Sequence, residues 1–159
     1  MDPAARRLTL PARVESVAAF REFVRSGAVA AEVPAGDLET LDLVLEEILM
    51  NIARYAYVAD SGGATDLSGL AEVAFAPDGP GKLYVEIADW GNAFNPLDVE
   101  PPDFSRGLAE RPIGGLGVFL VRSLVSDIAY RREADRNIMS FGFPAAGFPA
   151  PGGFSEPGA

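Results

Sequence analysis

The hydrophobic positions of this chain change period several times, and each change predicts an element. From Arg6 to Ala12 they alternate, with Leu8 and Leu10 on one side, which reads as an edge strand. From Val14 to about Ala31 the spacing turns helical: Val17, Phe20 and Val24 fall three and four apart, and Gly27 weakens the end. Pro34-Ala35-Gly36-Asp37 breaks that segment, with Asp37 placed as N-cap of a second helix from about Leu38 to Val58. The apolar stripe of this helix is Leu41, Val44, Leu45, Ile48, Ile52 and Tyr55. Leu70 to Ala76 and Lys82 to Trp90 then read as strands joined by Pro77-Asp78-Gly79-Pro80-Gly81, a hairpin-like turn.

Residues 91 to 113 carry Pro, Gly and Arg without periodicity, and a loop that long inside a small domain is usually functional or disordered. Leu116 to Val125 is apolar on nearly every side and predicts a buried helix. Ile128 to Glu133 and Ile138 to Phe143 predict two closing strands. This order of elements predicts an α+β fold: a two-layer sandwich with a mixed, mostly antiparallel sheet and all helices on one face. The domain should occupy residues 1–143. Residues 144–159, mostly Pro, Gly, Ala and Phe, read as a flexible tail.

Composition narrows the chemistry. The chain has 159 residues, 48% of them hydrophobic, enough for one domain with a real core. A net charge of −10 disfavours nucleic acid and anionic membrane as partners. With neither cysteine nor histidine, the chain offers no thiolate site, no usual zinc ligand set, no usual general base and no phosphohistidine relay of its own. Chemistry falls to carboxylates, hydroxyls or a bound metal. No apolar run approaches a membrane span, and the N-terminus lacks a signal-peptide core, so a cytoplasmic protein is expected.

Three polar or glycine motifs interrupt the apolar pattern. In the second helix Glu47 and Asn51 lie one turn apart on one flank of the stripe, whereas Glu46 points to the opposite side. An Asn amide oxygen there can ligate Mg²⁺, and a carboxylate one turn earlier can orient or deprotonate a hydroxyl or water near phosphates. An ordinary helix boundary would look the same. In the third strand Asp89 continues the face of Leu83, Val85 and Ile87. A carboxylate on a core face needs a donor, and an adenine amine would supply one, with Gly91 letting a flat base approach the backbone. A strand-ending Asp followed by a turn glycine is the plain alternative.

The third motif, Gly114-Gly115-Leu116-Gly117, opens an apolar helix whose free N–H groups suit a polyphosphate, with Arg106 and Arg111 in the preceding loop within reach. A linker of glycines is the alternative here. No lysine follows these glycines, so this is not a GKS or GKT phosphate loop.

The order of the three motifs resembles the Bergerat-fold (GHKL) ATPases. Glu47 and Asn51 match the N box, Asp89-Trp90-Gly91-Asn92-Ala93-Phe94 the first glycine box and Gly114-Gly115-Leu116-Gly117 the second, over about residues 6 to 143. Within that family the chain is most similar to the anti-sigma-factor serine kinases, the RsbW-like class. Tyr57 after the N box, Asp89-x-Gly91-x-x-Phe94-Asn95-Pro96, and Gly114 to Val121 followed by Asp127 carry this likeness. Tyr55 stands where His is usual, and Arg136-Asn137 where Gly-Asn is commoner.

The resemblance implies that Glu47 is the catalytic base and that Asn51 binds Mg²⁺. Asp89 would recognise the adenine of ATP, with Gly91 and Phe94 beside it. Gly114, Gly115 and Gly117, with Arg111, would hold the phosphates. It also implies a serine on a STAS-type anti-anti-sigma protein as substrate, a sigma factor or other response regulator as competing partner, and a homodimer. The β edge near Leu8 and Leu10 is the candidate dimer surface. A non-catalytic nucleotide-binding module and a detached histidine-kinase-like catalytic domain are the alternatives.

Overall fold

A computed structural model describes residues 5–57, 69–99 and 116–144. Strand β1 (Arg6–Pro11) leads through a short 3-10 turn (Val14–Ser16) into helix α1 (Val17–Ala30), which is followed by α2 (Ala35–Tyr55). Strands β2 (Leu70–Pro77) and β3 (Leu83–Asp89) form the expected hairpin, with Val73 opposite Ile87 and Ala71 opposite Asp89. After a second 3-10 turn (Pro96–Asp98) come α3 (Leu116–Leu124), β4 (Ser126–Glu133) and β5 (Arg136–Phe143).

The sheet order is β1-β2-β3-β5-β4, and every neighbouring pair is antiparallel. The parallel component allowed by the sequence pattern is therefore absent among the described strands. The cause is topological. β3 and β4, joined through α3, run in the same direction, but β5 lies between them and opposes both. One consequence places Asn137, at the start of β5, directly opposite Asp89 at the end of β3. The two strands β4 and β5 are out of step between Ser126 and Ala129, where Asp127 takes φ 51°, a left-handed conformation that Asp tolerates better than most residues.

The helices cover one face of the sheet. Val17, Phe20 and Val24 of α1, and Leu41, Val44, Leu45 and Ile48 of α2, share one core with Val73, Phe75, Val85, Ile87, Met139 and Phe141. Gly27, read from sequence as a weak end of α1, has a packing reason. A Cβ on it would lie 2.0 Å from the Phe75 ring, so the glycine lets α1 settle onto β2. On the outer side of the helices Asp42 of α2 pairs with Arg21 and Arg25 of α1, and Arg21 also reaches Glu46.

Three local expectations change. The second helix starts at Ala35 with extended Pro34 as its N-cap, and Asp37 sits in the first turn, where its charge favours the helix dipole without capping it. Tyr55, expected on the apolar stripe, ends the helix 56% exposed, because the core below it has already run out. Helix α3, expected to be a buried helix, is not buried all round: Val121 is buried, while Phe119 remains 39% exposed. Among the described residues no helix is long and apolar enough to cross a membrane.

Candidate functional site

Asp89 continues the core face of β3, as its alternation with Leu83, Val85 and Ile87 requires, and is buried at 6% exposure. Its Oδ1 accepts the Gly91 N–H at 2.8 Å and the Asn137 side-chain amide at 2.8 Å. Among the described residues no donor reaches Oδ2. Burial pushes the Asp89 carboxyl above its ordinary value, against the lowering effects of Asn137, the Gly91 N–H and the positive charge of Arg132. When ionised, a carboxylate whose second oxygen takes no donor from the described residues is suited to accept a hydrogen bond from a ligand amine.

The segment after Asp89 is fastened from two directions. From β5, the Asn137 amide also donates to the Asn92 carbonyl at 2.9 Å, and its Oδ1 accepts the Phe94 N–H at 3.4 Å. From α2, the Ala56 carbonyl accepts the Asn92 N–H at 2.9 Å. Gly91 makes this approach possible, since a Cβ there would stand 2.1 Å from the Ala56 oxygen. Tyr57 adds a third fastening. Its hydroxyl donates to the Leu70 carbonyl and accepts the Trp90 N–H at 2.9 Å, tying the end of α2 to β2 and β3. Burial raises the Tyr57 pKa, and the nearby Asp89 charge raises it further.

The other end of the site lies about two turns earlier on α2. Glu47 and Asn51 are both half-buried, one helical turn apart. Glu47 leans against the first turn of α3: a Cβ on Gly117 would meet Glu47 Oε2 at 2.2 Å. Gly117 thus leaves room for a carboxylate beside backbone N–H groups that lack intrahelical partners, a place with natural affinity for anions. Among the described residues no group of three or more acidic side chains gathers as a metal cage. A hard cation held by the Asn51 amide would take its other oxygens from phosphates and water, which is how Mg²⁺ is commonly bound.

The fold thus brings Asp89 and Gly91 to the C-terminal end of α2, and sets Glu47, about two turns earlier on the same helix and one turn before Asn51, against Gly117. Phe94 is 61% exposed, and its backbone N–H donates to Asn137 Oδ1. Arg106, Arg111, Gly114 and Gly115 lie outside the described residues. Three contributors were missed by sequence reading: Asn137, Arg132 and Tyr130. Asn137 shares one face of β5 with Met139, Phe141 and Phe143, so it carried the same signal as Asp89, a polar residue continuing an apolar face.

Residues 10–143 match the family described as the histidine kinase-like ATPase domain. The chain belongs to that family. Among curated relatives it is similar to the proteins named serine-protein kinase RsbW from Bacillus mycoides and Bacillus anthracis, at 27% and 28% identity. Each comparison spans 83% of this chain and 80% of the relative. Among solved structures it is similar to the RsbU and RsbW domains of a Mycobacterium tuberculosis protein, with a TM-score of 0.57 and 19% identity. That likeness covers 89% of this chain but 33% of the solved one, and it bears on the fold.

Proposed function

We propose that this protein is an ATP-dependent serine protein kinase that phosphorylates a STAS-type anti-anti-sigma partner and, in the competing complex, sequesters a sigma factor. The observations that carry this reading are a buried Asp89, whose Oδ1 is engaged and whose Oδ2 takes no donor from the described residues, and Glu47 against the first turn of α3. The kinase names of the sequence relatives support the choice of reaction.

In this reading Asp89 Oδ2 accepts the adenine amine, and Gly91 keeps the adjoining backbone open to the flat base. Gly117, with Gly114, Gly115 and Arg111 preceding it, holds the phosphates. Asn51 would hold Mg²⁺ through its amide oxygen, and the ion would supply neutralisation of phosphate charge. Glu47 accepts the proton of the partner's serine as its Oγ bonds to the γ-phosphorus. The bond from that phosphorus to the β–γ bridging oxygen breaks, and ADP leaves. Glu47→Ala should abolish transfer of labelled γ-phosphate to a STAS-domain protein while ATP binding measured by calorimetry persists. Unchanged transfer would overturn the role given to Glu47. The phosphate on the partner should survive acid; an acid-labile phosphohistidine would favour the histidine-kinase-like alternative.

The protein is read as a cytoplasmic homodimer. Strand β1 is a sheet edge, paired only with β2 among the described strands, and such an edge can pair across a two-fold axis. Deleting residues 1–12 should then give a monomer by light scattering, and a surviving dimer would reject that interface.

A further inference from the structure

Asn137 has more partners than any other side chain at the base end, and they fix which way its amide faces. Its oxygen receives Arg132 Nη1 at 2.6 Å and the Tyr130 hydroxyl at 2.9 Å, besides the Phe94 N–H. Its nitrogen faces only acceptors, Asp89 Oδ1 and the Asn92 carbonyl. Turning the amide over would set an N–H₂ group against the Arg132 guanidinium, which can only donate, and a carbonyl against the Asp89 carboxylate. Arg132 is itself steadied by the Gly91 carbonyl at 3.3 Å. The chain of contacts therefore runs from Arg132 through Asn137 to Asp89, and each link has one workable direction.

We propose that Asn137, oriented by Arg132 and Tyr130, is a specificity-determining positioning residue of the nucleotide site: by donating to Asp89 Oδ1 it keeps Asp89 an acceptor and so selects purines bearing an amine at C6 over those bearing an oxygen. This deepens the nucleotide reading above and rests on it. An acceptor-only carboxylate repels a 6-oxo group, whereas a protonated one would donate to it. The groups facing Asp89 are Tyr57 from the end of α2, Asn137 from β5, and Arg132 from β4, with Tyr130 acting through Asn137. In Asn137→Asp the new carboxylate keeps Arg132 as a partner but opposes Asp89. The two acids then share a proton, and Asp89, which lacks the direct guanidinium contact, is the one that holds it.

The test is calorimetric binding of ATP and of inosine triphosphate, with Mg²⁺, between about pH 6 and 8. Wild type should favour ATP by roughly tenfold or more at every pH in that range. In Asn137→Asp the affinity for ATP should fall by about tenfold or more, and the preference should shrink toward unity or reverse, returning as pH rises. Arg132→Met, a change at the exposed rim, releases the amide and should shift the preference the same way by a smaller factor; it decides the matter if the Asp variant does not fold. Preference and pH dependence unchanged from wild type in folded variants would overturn the inference while leaving the nucleotide site standing. Failure of the wild type to bind ATP would overturn the nucleotide reading and this inference with it.

Discussion

Gly91 and Gly117 both press against α2 with no space for a side chain, but what they press against differs. Gly91 faces the Ala56 backbone carbonyl, with 2.1 Å to a would-be Cβ. Gly117 faces the Glu47 carboxylate, with 2.2 Å. A carbonyl at the end of a helix, already engaged with the Asn92 N–H, has nowhere to go. A carboxylate at the tip of a flexible side chain can swing aside. In the nucleotide reading proposed above, the base end is thus built in advance by backbone, and the phosphate end is left adjustable by a side chain. In the proposed kinase reading, a site that grips one fixed base yet passes a phosphoryl group to a second protein gains from this division.

The sharpest way to break the contrast is Gly91→Ala. Overpacking against backbone should cost about 3 kcal/mol, read as a fall in the urea midpoint at unchanged slope. Near-wild-type stability would show that the base end has more give than its geometry implies. Asp89→Asn comes next. Its amide oxygen can still accept from Gly91 and Asn137, but it then turns donors toward the ligand. ATP affinity should drop by roughly 100-fold by calorimetry while the fold survives.

The same variant tests the sign of the Asp89 shift. Its carboxyl is raised in the folded state, so the folded protein holds its proton more tightly. Relative to an unperturbed acid, stability falls as pH rises from the ordinary value of 3.8 through the raised one. Nucleotide-free Asp89→Asn should therefore lose that segment of the pH–stability profile, and ATP binding by wild type should weaken as acid protonates Asp89. An unchanged profile in Asp89→Asn would assign the shift elsewhere.

Tyr57→Phe removes one of several fastenings and should cost about 1 kcal/mol in stability, together with a few-fold loss of ATP affinity. The smallest stability effect belongs to Gly117→Ala. Helix propensity gains what crowding costs, so the net change should stay within about 1 kcal/mol, while displacement of Glu47 slows phosphotransfer roughly fivefold. A stability loss matching that of Gly91→Ala would erase the distinction between the two ends.

What could be read in advance divides along the same line. Glu47, Asn51 and Asp89 announced themselves through local periodicity, because each interrupts an apolar pattern within its own element. The hairpin of β2 and β3 was legible from its turn, and the edge strand from its alternation. The partners of Asp89 were not. Asn137 stands 48 residues away and meets it only because β5 enters the sheet beside β3, a pairing that no short-range pattern encodes. Tyr55 and Phe119 were misplaced for a related reason. Apolar character says that a residue can be buried, but the extent of the neighbouring layer decides whether it is.

The hydrogen bond between the Ala56 carbonyl and the Asn92 N–H turns α2 into a ruler. One end of its scale is fixed to the segment that follows Asp89. Glu47 sits eight residues before Tyr55, where the helix stops, and so about 12 Å away along its axis. In the proposed nucleotide site, the reach from base to reacting phosphate is thereby written as a number of helical residues. Adding one residue between Glu47 and Tyr55 would carry the carboxylate about 1.5 Å along the axis and 100° around it. A substitution in this stretch leaves that distance unchanged, whereas a change in its length does not.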